Sequence, residues 1–381
     1  MKIKKKLQKI FKLFFQKLFI LIYGKVSLDT NFNFLNENST NKLDKVIIDN
    51  FTYNIFKIEK ARIYTDLVQN VAVILKNNLI PKACFQKINS HVKKEIDNVC
   101  LKKGTPRIKI KKNGKLLALI QDASENNFSH WLLDILPRLK IFEQNNSIEE
   151  INYFLLPELK YSFQRETLEI LNIPFNKILS DKKNRHIEAD TLFVIDHPWH
   201  KKGNVQDEII YIPEWIINWL REKFLVYAEY KNISKKIYID RSDSLFNHCQ
   251  IINSEEVWEY LKKEGFTKIK STEITFKNQI GLFNSATTIV GAHGAGLTNM
   301  IFSKSNTNII EFAPKNHPNN FFHRVSQINN LNYRKIVSKN LKLNNHNKRG
   351  DILVDLKILK ESFDNFNRIC LICIFICHFF N

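Results

Sequence analysis

From residue 235 to 314 the sequence alternates between short β-branched runs and segments of helical period, and this constrains the fold more than any other feature. KKIYID reads as a strand. NSEEVWEYLKKEG reads as a helix with Asn253 as a candidate N-cap, Glu256 three residues later and Gly265 at its C-terminal end. FTKIK, TTIV and NIIEFAP read as further strands, separated by the helical stretches TFKNQIGLFNSA and GLTNMIFS. Repeated strand–helix alternation implies a parallel sheet with helices on both faces.

The first half of the chain is less regular. Between residues 31 and 112 only KVIIDN and NVAVILKNN suggest strands. From Lys115 the order is clearer: strand KLLALIQD, a helix from Phe128, strand NYFLLP, helix YSFQRETLEIL and strand DTLFVIDHP. A long helical segment, IPEWIINWLREKFLVYAEY, then leads into the linker KNIS. The expected organisation is therefore a basic helix over residues 1–23, an α/β domain over 31–230, a Rossmann-like domain over 236–345, and a helix with an apolar tail over 346–381.

At 381 residues, with a formal charge of +20, the chain is long enough for two cores and basic enough to suit an anionic partner. Lysines are spread along its whole length, so a solvated basic surface is the alternative. In the first 25 residues Ile3, Leu7, Ile10, Phe11, Phe14, Phe15 and Leu18 recur at helical spacing, opposite Lys5, Lys6, Lys9 and Lys12. Such a helix suits the interface of an anionic membrane, or packing on its own protein. Cys84, Cys100 and Cys249 are isolated, as in a cytoplasmic protein. Cys370, Cys373, Cys377 and His378 lie in an apolar tail without a second ligand cluster, which suits a docked terminal helix better than zinc.

Two motifs carry chemistry. In TTIVGAHGAGLTNMIF, Gly291, Gly294 and Gly296 follow a strand and lead into a helix, with His293 among them. Small residues at a strand's carboxyl end let an anion approach backbone N–H groups, and an imidazole there can donate to it. The spacing is not the dinucleotide G-x-G-x-x-G, and no P-loop lysine follows. A plain tight turn is the structural alternative. In ENNFSHWLLDILPRL, His130 and Asp134 are four residues apart and share a helix face. A carboxylate beside an imidazole fixes its tautomer and raises its basicity, as general-base chemistry needs. Trp131, Leu132, Leu133 and Ile135 cover the buried side, and Pro137 ends or kinks the helix. A satisfied structural pair is the alternative here.

These two motifs, together with KIYIDRSDSLFNHCQIINSEEV, resemble glycosyltransferase family 61 from about residue 122 to 312. The resemblance implies an α/β, GT-B-like fold with two Rossmann-like domains, their parallel sheets facing a cleft. It implies inverting transfer from a nucleotide sugar to a glycan or lipid-linked acceptor in surface polysaccharide synthesis. No Asp-x-Asp occurs in the chain, in keeping with an enzyme that uses no metal and no cofactor. Without a metal, the leaving diphosphate needs arginine, histidine and backbone donors. By resemblance, Arg241, His248, Gly291, His293, Gly294, Gly296, Asn299 and Glu311 bind the nucleotide sugar, with Glu311 accepting from a ribose or sugar. His130 and Asp134 are the catalytic pair. Asn127, Trp131 and Arg138 lie on the acceptor side, and His197, Trp199 and His200 are candidates to line it. Where the family carries further arginines this chain has NHCQ, residues 247–250, which His248 replaces only in part.

Three function classes follow from these features. A glycosyltransferase at the inner face of the membrane, cytoplasmic and held there peripherally by residues 1–23, accounts for all of them. A basic nucleic-acid-binding protein predicts clustered cations interleaved with aromatics on one recognition element, and none is present. A non-catalytic scaffold of a polysaccharide system would keep the fold without the chemistry.

Overall fold

The computed structural model describes residues 2–37, 40–67, 70–88, 90–120, 127–231, 234–242, 249–315, 320–339 and 350–366. His248 and the cysteine-containing tail lie outside these. The chain forms two compact units, Met1–Trp219 and Leu220–Asn381. The division falls inside the helix Glu214–Phe224, ahead of the linker read from the sequence.

The first unit carries β1 (Lys42–Ile48), β2 (Phe51–Glu59), β3 (Arg62–Leu67), β4 (Asn70–Leu75), β5 (Asn78–Leu79), β6 (Phe85–Ile88) and β7 (His91–Val92). It continues with β8 (Ile110–Ala118), β9 (Tyr153–Leu156), β10 (Ile178–Ser180) and β11 (His186–Ile195). Among the described residues they make an 11-stranded sheet whose main path runs β10-β9-β8-β11-β3-β4-β6-β7. Only the β10-β9-β8-β11 part is parallel, with Leu117 beside Phe154 and Leu192 beside Leu116. The rest is antiparallel, so this unit departs from the all-parallel Rossmann-like domain expected. Tight hairpins are the reason. Lys76 and Asn77 join β4 to β5 with φ of 45° and 65°, the two positive values a type I′ turn requires. Where strands reverse this tightly no helical crossover fits, and parallel pairing is excluded. Ile58, Val73, Leu116, Ala118, Leu192 and Val194 form the core against the sheet.

The helix Lys2–Tyr23 belongs to this unit. Its C-terminal half packs: the Tyr23 ring sits edge-on to His186 at 5.1 Å, and its hydroxyl accepts the Lys109 N–H at 3.0 Å. Leu7, Ile10, Phe11, Phe14 and Leu21 stay exposed, Leu21 at 84%. Among the described residues no helix is long and apolar enough to cross a membrane.

The second unit is the parallel α/β layer expected. β12 (Lys236–Asp240), β13 (Thr267–Lys270), β14 (Thr288–Ala292), β15 (Asn308–Ala313) and β16 (Asn332–Val337) run parallel in the order β13-β12-β14-β15-β16. β14 is buried throughout, as a central parallel strand covered on both faces must be. Helices Ser254–Lys263, Phe276–Ser285 and Phe321–Ile328 cross between strands. Two details differ from expectation. Asn253 makes no cap bond; its Nδ2 donates to the Val354 carbonyl at 2.9 Å and its Oδ1 accepts the Val354 N–H at 3.0 Å. The segment after the glycine turn, Ala295–Phe302, is a 3₁₀ helix.

Candidate active site

In the first unit, Asn127 Oδ1 accepts the His130 N–H at 3.2 Å and caps the short helical start Phe128–His130. Trp131–Ile135 then widens into a π-turn, the Leu136 N–H reaching the Trp131 carbonyl at 3.2 Å. Pro137 has no N–H to give the Leu133 carbonyl, so regular α-helix cannot continue through it. The π-turn absorbs the break, and the helix resumes over Pro137–Phe142.

This turn brings His130 Nδ1 within 2.8 Å of Asp134 Oδ2. Asp134 is completely buried, while His130 remains 23% exposed. Trp199 donates its indole N–H to Asp134 Oδ1 at 2.8 Å. His197 Nδ1 accepts the His200 N–H at 3.0 Å, which leaves the ring proton on Nε2, 3.6 Å from Asp134 Oδ2. Burial by itself would raise the Asp134 pKa, but His130 and His197 hold it well below the usual carboxylate range. The ionised carboxylate can only accept, so the neutral His130 ring carries its proton on Nδ1 and presents a basic Nε2. Arg138 is fully buried near the same carboxylate: burial lowers its pKa to about 9, while Asp134 and Asp196 pull it up. Burial likewise brings the buried Lys87 down to about 8, opposed by Asp134. A polar cavity of about 240 Å³ in this unit is lined by His197 and His200 together with Asn54, Gln86, Lys93 and Lys201.

In the second unit the strand order reverses at β12, so the crevice between β12 and β14 at their carboxyl ends is the topological switch point. Arg241 leaves β12 there and His293 leaves β14. The Arg241 guanidinium donates to the His293 carbonyl. Gly294 is extended, so its backbone does not demand glycine, but a Cβ there would lie 1.6 Å from Arg241 Nη1 and the guanidinium would have to shift. A Cβ added at Gly291 would approach Ile239 to 3.2 Å, and one added at Gly296 would approach Ser271 Oγ to 3.3 Å. A cavity of about 410 Å³ opens beside Arg241, lined by Asp240, Ser254, Glu255, Trp258 and Lys268.

Behind the glycine turn, Glu311 is completely buried. His293 Nδ1 lies 2.5 Å from Oε1, and the Tyr333 hydroxyl donates to Oε2. Burial, with Glu311 adding to it, raises the Tyr333 pKa and keeps the phenol protonated.

Residues 128–310 match the family Glycosyltransferase 61. The resemblance read from the motifs is supported over this segment, and the family implies glycosyltransferase activity. The family 61 segment holds His130, Asp134, Trp199, Arg241 and His293, and it stops one residue short of Glu311. No curated protein matches the chain.

Within and beside the family 61 segment, the structure sorts the residues singled out by sequence. His130 and Asp134 meet, as do Arg241, His293 and Gly294. Trp131 does not face an acceptor: it is fully buried and donates to Thr167 Oγ1 at 2.9 Å. Arg138 is a buried counter-charge, and Asn127 a helix cap. Asn299 is buried, holding Gln279 Oε1 at 2.8 Å, so it braces the 3₁₀ segment. Both Glu311 oxygens are engaged inside the protein, which removes its expected contact with a ribose. Trp258 packs against the core of this unit and lines the cavity beside Arg241. Tyr333 and Lys87 went unread, since neither stands in a motif. Among the described residues no group of three or more His, Cys, Asp or Glu side chains could hold a metal ion.

Proposed function

We propose that the protein is an inverting glycosyltransferase that takes a sugar from a nucleotide sugar without a metal ion. His130 Nε2 accepts the proton of an acceptor hydroxyl as its oxygen attacks the anomeric carbon. The bond from that carbon to the diphosphate breaks, and the diphosphate leaves as an anion. Asp134 stabilises the imidazolium that results and keeps the ring in the required tautomer. The observation that carries this reading is the buried, ionised Asp134, aimed by Trp199 and bound to a His130 that still reaches solvent. Arg241 and His293, at the switch point of the second unit, meet the diphosphate charge. Asp240 and Glu255 line the neighbouring cavity and can accept ribose hydroxyls, the part once given to Glu311. This division of labour, base in one unit and donor in the other, is that of a GT-B enzyme.

The acceptor is a glycan or a lipid-linked glycan of surface polysaccharide synthesis, and the enzyme works at an anionic membrane surface through its N-terminal helix. The exposed Leu7, Ile10, Phe11 and Phe14 support that attachment. A panel of nucleotide sugars, read by thermal shift and by released nucleoside diphosphate, tests the reading. His130→Ala is expected to bind the donor yet lose turnover by about 10²–10⁴-fold. Normal turnover in this variant removes His130 from the chemistry.

A further inference from the structure

Beneath the glycine turn of the second unit lies a buried carboxylate whose two oxygens are both engaged. His293 leaves β14 with its backbone N–H on the Phe312 carbonyl at 2.7 Å, which ties it to β15. On that strand Glu311 sets Oε1 2.5 Å from His293 Nδ1, and Tyr333 of β16 donates its hydroxyl to Oε2. Glu311 is completely buried, whereas His293 keeps a partly exposed edge. Imidazole, carboxylate and phenol thus form one hydrogen-bonded row across three adjacent strands. The other charged or titratable groups around the row are Arg241, which donates to the His293 carbonyl, Lys335, the register neighbour of Glu311, and His323, whose ring meets Tyr333 at 5.7 Å.

Proton counting limits what this row can do. Two lone pairs cannot face each other at 2.5 Å, so one proton lies between Nδ1 and Oε1. With that proton alone on the His293–Glu311 pair, Nε2 is a bare lone pair and repels a diphosphate oxygen. A second proton on the pair makes Nε2–H a donor, whether the proton between the two sits on Nδ1 or on Oε1. Holding an anion through His293 therefore requires two protons on the pair. Burial favours that form, because it carries no net charge. The Tyr333 hydroxyl favours the form with one, since a hydrogen bond donated to a carboxylate stabilises its charge. Burial and Glu311 keep the phenol protonated, so Tyr333 remains a donor.

We propose that donor binding draws a proton from solvent onto the His293–Glu311 pair, and that Tyr333 is the positioning residue that sets the pH at which this stops. The inference rests on the reading of Arg241 and His293 as the diphosphate site and adds a proton to its stoichiometry. Tyr333 acts through Glu311 and not by touching the donor.

The test is calorimetric titration of the full chain with UDP-, GDP- and dTDP-linked hexoses between about pH 6 and pH 8, in buffers of different ionisation enthalpy. The diphosphate of a nucleotide sugar does not titrate in this range, so protons taken up belong to the protein. In the wild type, uptake is expected to rise towards one proton per donor bound as pH rises, while affinity falls. His293→Gln keeps an N–H donor that needs no added proton, so its binding should take up none and lose its dependence on pH. Tyr333→Phe keeps the ring and strips a donor from Oε2, which should move the pH at which affinity falls up by about one unit. A Tyr333 that only packs would lower the melting temperature in this variant and leave that pH unchanged. No proton uptake in the wild type, wild-type uptake in His293→Gln, or an unmoved pH profile in a folded Tyr333→Phe each overturns the proposal while leaving the diphosphate site in place. Should Tyr333→Phe not fold, the proton counts of the wild type and His293→Gln decide alone. Failure of every nucleotide sugar to bind overturns the diphosphate site as well.

Discussion

Asp134 holds its charge inside protein because three side chains face it, and each can be removed separately. Trp199→Phe keeps the ring and deletes the indole N–H at 2.8 Å, leaving a buried carboxylate oxygen short of a donor. A destabilisation of about 1–3 kcal/mol is expected in denaturant unfolding, together with a lower turnover; an unchanged midpoint and rate would show the bond to be idle. At the other cluster, Gly294→Ala puts a methyl where Arg241 Nη1 now lies. The guanidinium has to move, so donor affinity should fall by about tenfold or more while stability changes little. Titration with the nucleotide sugar identified in the panel checks this, and wild-type affinity would mean Arg241 does not touch the donor. His130 and Asp134 were legible in sequence because a spacing of four is a helical contact. Trp199 was read only as a candidate to line the acceptor side, since its partner stands 65 residues away and no local period marks it. Glu311 was misread for a related reason: Tyr333, which fills its second oxygen, comes from a strand beyond the motif.

At the scale of elements, strand–helix alternation announced the second unit, and it folds as read. Asymmetric detail was invisible there: the 3₁₀ form of Ala295–Phe302 and the tie of Asn253 to Val354 depend on tertiary partners. In the first unit the parallel strands β8, β9 and β11 and the antiparallel β1 and β4 were legible, whereas the three-residue β10 and the remaining antiparallel strands were not, the latter being joined by turns that carry no glycine. The helix Lys2–Tyr23 was expected to lie on a membrane or on its own protein; Tyr23 at its C-terminal end packs on its own protein, whereas Leu7, Ile10, Phe11 and Phe14 stay exposed. Removing residues 1–14 takes away Leu7, Ile10, Phe11 and Phe14 but leaves the Tyr23 contact with His186. The truncated protein should melt within a few degrees of the full chain and no longer sediment with anionic vesicles. Undiminished sedimentation would place the membrane contact elsewhere.

For the whole molecule, a charge of +20 and three buried neutral histidines set the response to pH. Burial is the largest cause in each case, lowering His186 and His200 from 6.5 to about 4 and His197 to about 3. Between these values and about 6.5 the unfolded chain binds protons that the folded chain refuses, so stability is lost as pH falls through that window. Asp134, whose folded pKa is depressed, adds a loss of the same sign only at lower pH. The melting temperature should therefore drop from pH 7 to pH 5; a flat or rising curve would show that these rings are not held neutral. The claim that joins the two units is that one binds the donor and the other supplies the base. It is tested most directly by measuring nucleotide-sugar binding and sugar transfer side by side in the full chain, in Arg241→Ala and in His130→Ala. Loss of binding in Arg241→Ala, with binding kept and transfer lost in His130→Ala, is the predicted result. Equal binding and equal transfer in all three proteins would contradict it.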